Sequence, residues 1–210
     1  MASTSHINVL AISDDSQEGG DVATLMQHVL RELELEGIRT ESIQLSGAEI
    51  RACLACQICS SGHNKGCVQD NDACNAFIER MEQADGILIG ARAGIEGATP
   101  ELIALLDRAC MVGKANGRCF RHKVGAAVVS FQPPGAVKTF DEINHFFLVN
   151  EMIVVGSSYW DVGVGSDAGE LALDPDGNLR MRMLGRNFAW LLENLHRPEA
   201  TLDLVEIVSQ

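Results

Sequence analysis

Short apolar runs alternate along this chain with longer segments whose apolar residues recur every three or four positions. Residues 7–12 (Ile-Asn-Val-Leu-Ala-Ile) carry little polar alternation, the pattern of a strand covered on both faces. They run into a glycine-bearing loop, Ser13-Asp-Asp-Ser-Gln-Glu-Gly-Gly20. Asp21 then opens a helix with Val22, Leu25, Met26, Val29, Leu30 and Leu33 on one face, and Gly37 stops it. Further strands are predicted over 40–45, 86–90, 123–131 and 152–155. Helices are predicted between them. One carries Phe77, Ile78, Met81 and Glu82 behind N-cap candidates in Asp70-Asn-Asp72. The next carries Leu102, Leu105, Leu106 and Ala109 behind Thr99-Pro100-Glu101, which reads as N-cap, first-turn proline and acidic first turn. A third spans about 138–150 with Phe140, Ile143, Phe147 and Leu148 inward, and a last spans about 181–195 with Met183, Leu184, Phe188, Leu191 and Leu192. Residues 161–178 form a glycine- and aspartate-rich excursion with Asp174-Pro-Asp-Gly177 as a turn. The tail holds one apolar patch at 202–208, a strand or a docking arm.

Five strands alternating with helices predict an α/β fold with a parallel sheet covered on both faces. A flavodoxin-like three-layer sandwich with strand order 2-1-3-4-5 fits. In such sheets ligands sit at the carboxyl ends of the strands, which here are the loops at 13–20 and 91–98. No repeat, low-complexity segment or linker divides the sequence, so residues 1–210 are expected to form one domain with a cysteine loop at 53–67 and a C-terminal excursion at 161–210.

Composition narrows the function classes. A net charge of −13 disfavours nucleic acid and anionic membrane surfaces as partners. No apolar run reaches the length of a membrane span, and residues 1–6 lack a signal-peptide pattern, so a cytoplasmic location is expected. The seven cysteines are an odd count, which agrees with reduced thiols or metal ligands.

Four of those cysteines carry the chemistry. Cys53-Leu-Ala-Cys56-Gln-Ile-Cys59 is followed by Cys67, and two-residue gaps let successive thiolates converge on one small object. This spacing is a ligand pattern for a [4Fe–4S] cluster. A structural zinc ion and redox-active free thiols are the alternatives, although zinc sites usually draw on two separated pairs. Cys74, Cys110 and Cys119 fall outside the pattern; Cys74 and Cys110 lie in predicted helices and are read as core thiols. His63, inside the loop, is either a substitute ligand or a solvated histidine, and His145 is read as a core or interface residue of its helix.

Taken in order, four segments resemble the iron–sulfur flavoprotein branch of the flavodoxin-like NAD(P)H-dependent FMN reductases. They are the cysteine loop after strand two, the 86–90 strand followed by Thr99-Pro-Glu-Leu-Ile-Ala-Leu-Leu-Asp-Arg108, the stretch Asp141-Glu-Ile-Asn-His-Phe-Phe-Leu148, and Gly156-Ser-Ser-Tyr-Trp160. The resemblance covers residues 7–195 and implies an FMN at the carboxyl edge and a [4Fe–4S] cluster on Cys53, Cys56, Cys59 and Cys67. It implies an oxidoreductase, linked to NAD(P)H or ferredoxin, that relays electrons between cluster and FMN to a small acceptor. It also implies a homodimer or homotetramer and leaves room for a redox-protein partner. The competing class is a cluster-bearing electron carrier or binding module that has lost FMN.

Carried over by position, the flavin contacts would be Ser13, Ser16, Gly19 and Gly20 in the first loop, Arg92 in the second, and Gly156, Ser157, Tyr159 and Trp160 in the third element. Two loops depart from the family pattern. The first places Asp14, Asp15, Glu18 and Asp21 where a phosphate would sit, and Val22 replaces a hydroxyl. The second lacks the stacking aromatic and offers Arg92, either paired with Glu96 or a first-loop acid, or meeting an anion. Tyr159 and Trp160 either wall a planar ring or cap a dimer interface, and Gln132-Pro-Pro-Gly135 offers another wall. No general acid or base is assigned.

Overall fold

The computed structural model describes residues 7–15, 20–61, 66–131, 135–158, 162–164 and 175–196. Ser16, Gly19, Glu18, His63, Tyr159, Trp160, residues 132–134 and the apolar patch of the tail lie outside them. The chain runs β1 (Asn8–Asp14), α1 (Asp21–Leu35), β2 (Arg39–Gln44), a 3-10 turn (Ile58–Ser61), α2 (Cys74–Gln83), β3 (Gly86–Arg92) and α3 (Pro100–Ala115). It continues through β4 (Val124–Phe131), α4 (Ala136–Val149), β5 (Ile153–Val154), β6 (Val162–Val164) and α5 (Pro175–Leu195). The strands form a parallel sheet in the order β2-β1-β3-β4-β5, as expected for a flavodoxin-like three-layer sandwich, with β6 also paired to β4.

Alternation along the strands sorts the core into two layers. Leu10, Ile12, Ile87, Ile89, Ala127 and Val129 pack with α2, α3 and α4. Val9, Ala11, Leu88, Val124, Ala126 and Val128 pack with α1 and α5. Each fully buried aliphatic side chain contributes about 1.5–3 kcal/mol. The α1 stripe is buried as its period predicts, and Gly37 follows it at φ 78°, the left-handed turn that suits glycine. Gly90 makes room for α1: a Cβ there would stand 2.1 Å from the Met26 sulfur.

Several expectations are corrected. β2 is a mostly exposed edge strand and ends at Gln44, one residue before the expected Leu45. The excursion contains β6, and α5 begins at Pro175, where a turn was expected. A proline after aspartate suits the first helical position as well as a turn, and packing on α1 decides for the helix. Met181 rather than Met183 is buried on α5, and Phe146 rather than Leu148 on α4, where Leu148 is exposed. His145 is exposed too, not a core residue.

β5 and β6 are two pieces of one edge position. β5 lies beside Val124 and Gly125 at the start of β4, and β6 lies beside Val129 to Phe131 at its end. From Val124 to Val129 β4 advances five residues while the edge chain, from Ile153 to Val162, advances nine. Among the described residues no helix is long and apolar enough to cross a membrane.

Candidate redox site at the carboxyl edge

Two neighbouring regions carry the candidate chemistry: the carboxyl edge of β1, β3 and β4, and the cysteine loop between β2 and α2. At the edge, Ser13 pairs across from Gly90, and Arg92 across from Ser130. Strand alternation puts all three polar residues on the face of α1. The Ser13 Oγ is buried and has no hydrogen-bond partner among the described residues. Arg92 is exposed and has no ion pair among them, neither with Glu96 nor with a first-loop acid. Helix α1 starts from Gly20, which has no side chain to cap the first-turn amides. Among the described residues, an orphaned hydroxyl, a guanidinium without an ion pair and a helix start whose N-cap has no side chain are donors suited to a phosphate.

Asp14 does not crowd that position. It follows Ser13 and so faces the other side of the sheet, where its Oδ2 accepts from the Thr99 hydroxyl at 2.6 Å. Burial, then the nearby charges of Glu101 and Asp15, push its carboxyl above the ordinary range against the pull of that hydrogen bond. Thr99 is the N-cap of α3, accepting from the Leu102 amide at 3.2 Å.

On the Asp14 side lies a cavity of about 1040 Å³. The chain after β2 (Ser46 to Glu49), the loop from Arg92 to Ala98, the start of α3, and Lys138 and Glu142 of α4 enclose it. The loop after β3 is braced from α4. Glu142 Oε2 accepts from the Ala98 amide at 3.0 Å, and Lys138 Nζ donates to the Glu96 carbonyl at 2.5 Å. Gly135 presses on Gly94, whose carbonyl oxygen would lie 1.9 Å from an added Cβ. Gly156 and Ser157 do not line this cavity; Gly156 follows β5, its carbonyl accepting from Asn187 of α5 at 2.8 Å.

The cysteine loop is held at its neck and at Cys67. The Arg51 amide donates to Asp72 Oδ2 at 2.8 Å, and Gln69 Nε2 donates to the Ala52 carbonyl at 3.1 Å. Asn75 grips Cys67 from both sides, accepting from its amide and donating to its carbonyl, each at 2.9 Å. Asp72 does not cap α2 from the N-cap position, which Ala73 occupies, but its Oδ1 accepts from the Cys74 amide at 3.1 Å. Around Cys56 the backbone is left-handed at two non-glycine residues, Ala55 (φ 51°) and Gln57 (φ 58°), a conformation that costs roughly 1–2 kcal/mol per residue. That bend lets the Ala55 amide donate to the Cys53 sulfur at 3.4 Å.

Arg108 is buried beneath the loop at 1% exposure and pairs with Asp72. Burial raises the Asp72 carboxyl, but the Arg108 guanidinium and the amides of Arg51 and Cys74 outweigh it and hold the group below the ordinary range. The guanidinium also stands within reach of Cys67 and Cys74, and its Nε is buried without a hydrogen-bond partner among the described residues. Burial pushes the Cys74 thiol up to about 12. Cys119 is pushed to about 12 as well, by burial and then by Glu82. Both therefore stay protonated; Cys74 is a core thiol as expected, and Cys110 is only half-buried. Among the described residues no three His, Cys, Asp or Glu side chains stand close enough together to hold a metal ion. The donor set still fits an anionic, thiolate-bound group: four thiols on one loop, an amide aimed at a sulfur, and a buried cation with a spare donor.

Arg108, Asn75 and Ser130 are the residues that sequence reasoning did not assign to the site. Arg108 had one usable signal, a charge on the buried stripe of α3, four positions after Ala104.

Residues 7–167 match the family described as NADPH-dependent FMN reductase. An iron–sulfur flavoprotein of Methanocaldococcus jannaschii is 31% identical over 190 residues, covering 87% of this chain and 96% of that protein. Among solved structures, RosB with bound 8-demethyl-8-formylriboflavin-5'-phosphate superposes with a TM-score of 0.71 at 17% identity, over 95% of this chain and 84% of that one. A flavodoxin from the domain Archaea does so with a TM-score of 0.59 at 11% identity, over 89% and 99%. The two structures share the fold with this chain. The length and identity of the match to the Methanocaldococcus jannaschii protein, together with the family match, show that this chain belongs to the NADPH-dependent FMN reductase family, in its iron–sulfur flavoprotein branch.

Proposed function

We propose that this flavoprotein oxidoreductase holds a [4Fe–4S] cluster on Cys53, Cys56, Cys59 and Cys67 and an FMN at the carboxyl edge, and relays electrons between them to a small acceptor. The observation that carries the cluster assignment is Arg108: a buried cation with an unused donor, pinned under the one loop that holds four cysteines. Bound there, the two groups would supply one-electron storage and hydride-level redox chemistry. The chain's own residues supply position and electrostatics. Ser13, the uncapped start of α1 and Arg92 would hold the phosphate, with Ser130 beside them. Glu142 and Lys138 fix the loop after β3, which keeps one wall of the cavity in place. That cavity is shared by the chain leading into the cysteine loop and the loop after β3, and a small acceptor would enter there. Self-association, which would let a cluster face a neighbouring flavin, belongs to the same proposal.

Single serine variants test the ligand set. After anaerobic reconstitution, Cys53→Ser, Cys56→Ser, Cys59→Ser and Cys67→Ser each lose iron and visible charge-transfer absorption relative to the parent protein, whereas Cys119→Ser keeps both. Equal iron in all five variants would overturn the assignment.

A further inference from the structure

Arg108 belongs to α3, yet its hydrogen bonds go to the chain that carries the cysteines. Nη1 donates to the Arg51 carbonyl at 3.1 Å and to the Asp72 carboxylate, and Nη2 donates to the Gln69 carbonyl at 2.7 Å. Arg51 lies two residues before Cys53, and Gln69 two residues after Cys67. One guanidinium therefore ties together the two ends of the ligand loop. This clamp uses the Nη groups alone. Nε is left buried with no acceptor among the described residues, although Cys67 lies beside the guanidinium. Leaving a buried N–H without an acceptor costs about 1–3 kcal/mol. Asp72 takes two further donors besides Arg108, with Oδ2 accepting from the Arg51 amide and Oδ1 from the Cys74 amide.

We propose that Arg108 is the positioning residue of the metal centre: its Nε–H donates to the Cys67 thiolate when the loop is loaded. This rests on the cluster assignment above. One consequence is preorganisation and the other is electrostatic. A clamped loop binds metal more tightly because its ends need not be brought together. A donor and a positive charge beside a ligating sulfur favour the more negative, reduced state of the bound group, so they raise its reduction potential.

The test removes Arg108 and Asp72 together, as Arg108→Met/Asp72→Asn, so that no buried charge is left alone. Wild type and variant are reconstituted anaerobically, matched for iron, and titrated optically for midpoint potential. The iron-free proteins are titrated with Co(II), read by thiolate-to-cobalt absorption. The expected results are a midpoint shifted to more negative potential and a Co(II) affinity lowered about 10–100-fold, the usual cost of losing an outer-shell partner. A variant with wild-type midpoint and wild-type Co(II) affinity overturns the proposal while leaving the cluster assignment standing. If the double variant does not fold, Arg108→Lys decides: lysine keeps the charge but lacks the Nε donor and the fork, so an intermediate midpoint supports the proposal and an unchanged one overturns it. Wild-type protein that takes up neither iron nor Co(II) overturns the cluster assignment, and this proposal with it.

Discussion

Ser13 and Asp14 are neighbours in sequence and face opposite sides of the sheet, and that alternation takes the Asp14 carboxylate away from the proposed phosphate position. The expected conflict between a phosphate and Asp14 arises only if both lie on one face. Arg92 shares the face of Ser13, and charge-assisted hydrogen bonds contribute about 1.5–3 kcal/mol. Arg92→Ala should therefore weaken FMN binding roughly 10–100-fold at about 1.4 kcal/mol per decade, with Arg92→Lys retaining part of the affinity. Fluorescence titration with FMN checks this, and an unchanged affinity would make Arg92 a surface residue. Asp14 gives a pH prediction. Its folded pKa is raised, so the folded state holds a proton more readily than the unfolded chain, and its contribution to stability falls as pH rises from the ordinary carboxylate range through the folded value. Asp14→Asn, which lacks that titration, should gain most over the parent at neutral pH, and the gain should shrink below the ordinary carboxylate range. Urea midpoints at the two pH values measure it; a gain independent of pH would exclude Asp14 as the titrating group. The cysteine spacing and Arg92 were legible in the sequence because spacing and a lone cation in a glycine-rich loop are local signals. Arg108 was not, because its partners lie 36 to 57 residues away and only folding brings them together.

Elements divide along the same line. The α1 stripe, the Thr99-Pro100 start of α3 and the β4 core follow from local periodicity and capping, and the structure keeps them. β6 is three residues paired to β4, a strand about 33 residues upstream, and no local pattern encodes that contact. The start of α5 was read as a turn because Asp-Pro-Asp-Gly serves both purposes, and the packing of α5 on α1 that decides it is again non-local. Close packing of α1 on β3 depends on Gly90. Gly90→Ala would drive a methyl group into Met26 and Val22, so α1 must shift, at a cost of about 1–3 kcal/mol for overpacking. Because the start of α1 is also the proposed phosphate contact, the same variant should bind FMN more weakly. Thermal unfolding and flavin titration on one preparation check both effects, and a variant with unchanged melting temperature would show that the core yields without moving α1.

At the scale of the whole molecule, the sheet brings the loop after β3 beside the chain that leads into the cysteine loop, and α3 joins the two regions: Thr99 at its start meets Asp14, and Arg108 two turns further on clamps the cysteine loop. The measurement that tests this account most directly is iron, acid-labile sulfide and acid-released flavin determined on a single anaerobically reconstituted sample. The account predicts about four iron atoms and an equal amount of sulfide per chain, with FMN released in near-equal ratio to protein. Protein that folds and binds FMN but holds no iron, or holds zinc in its place, would contradict it.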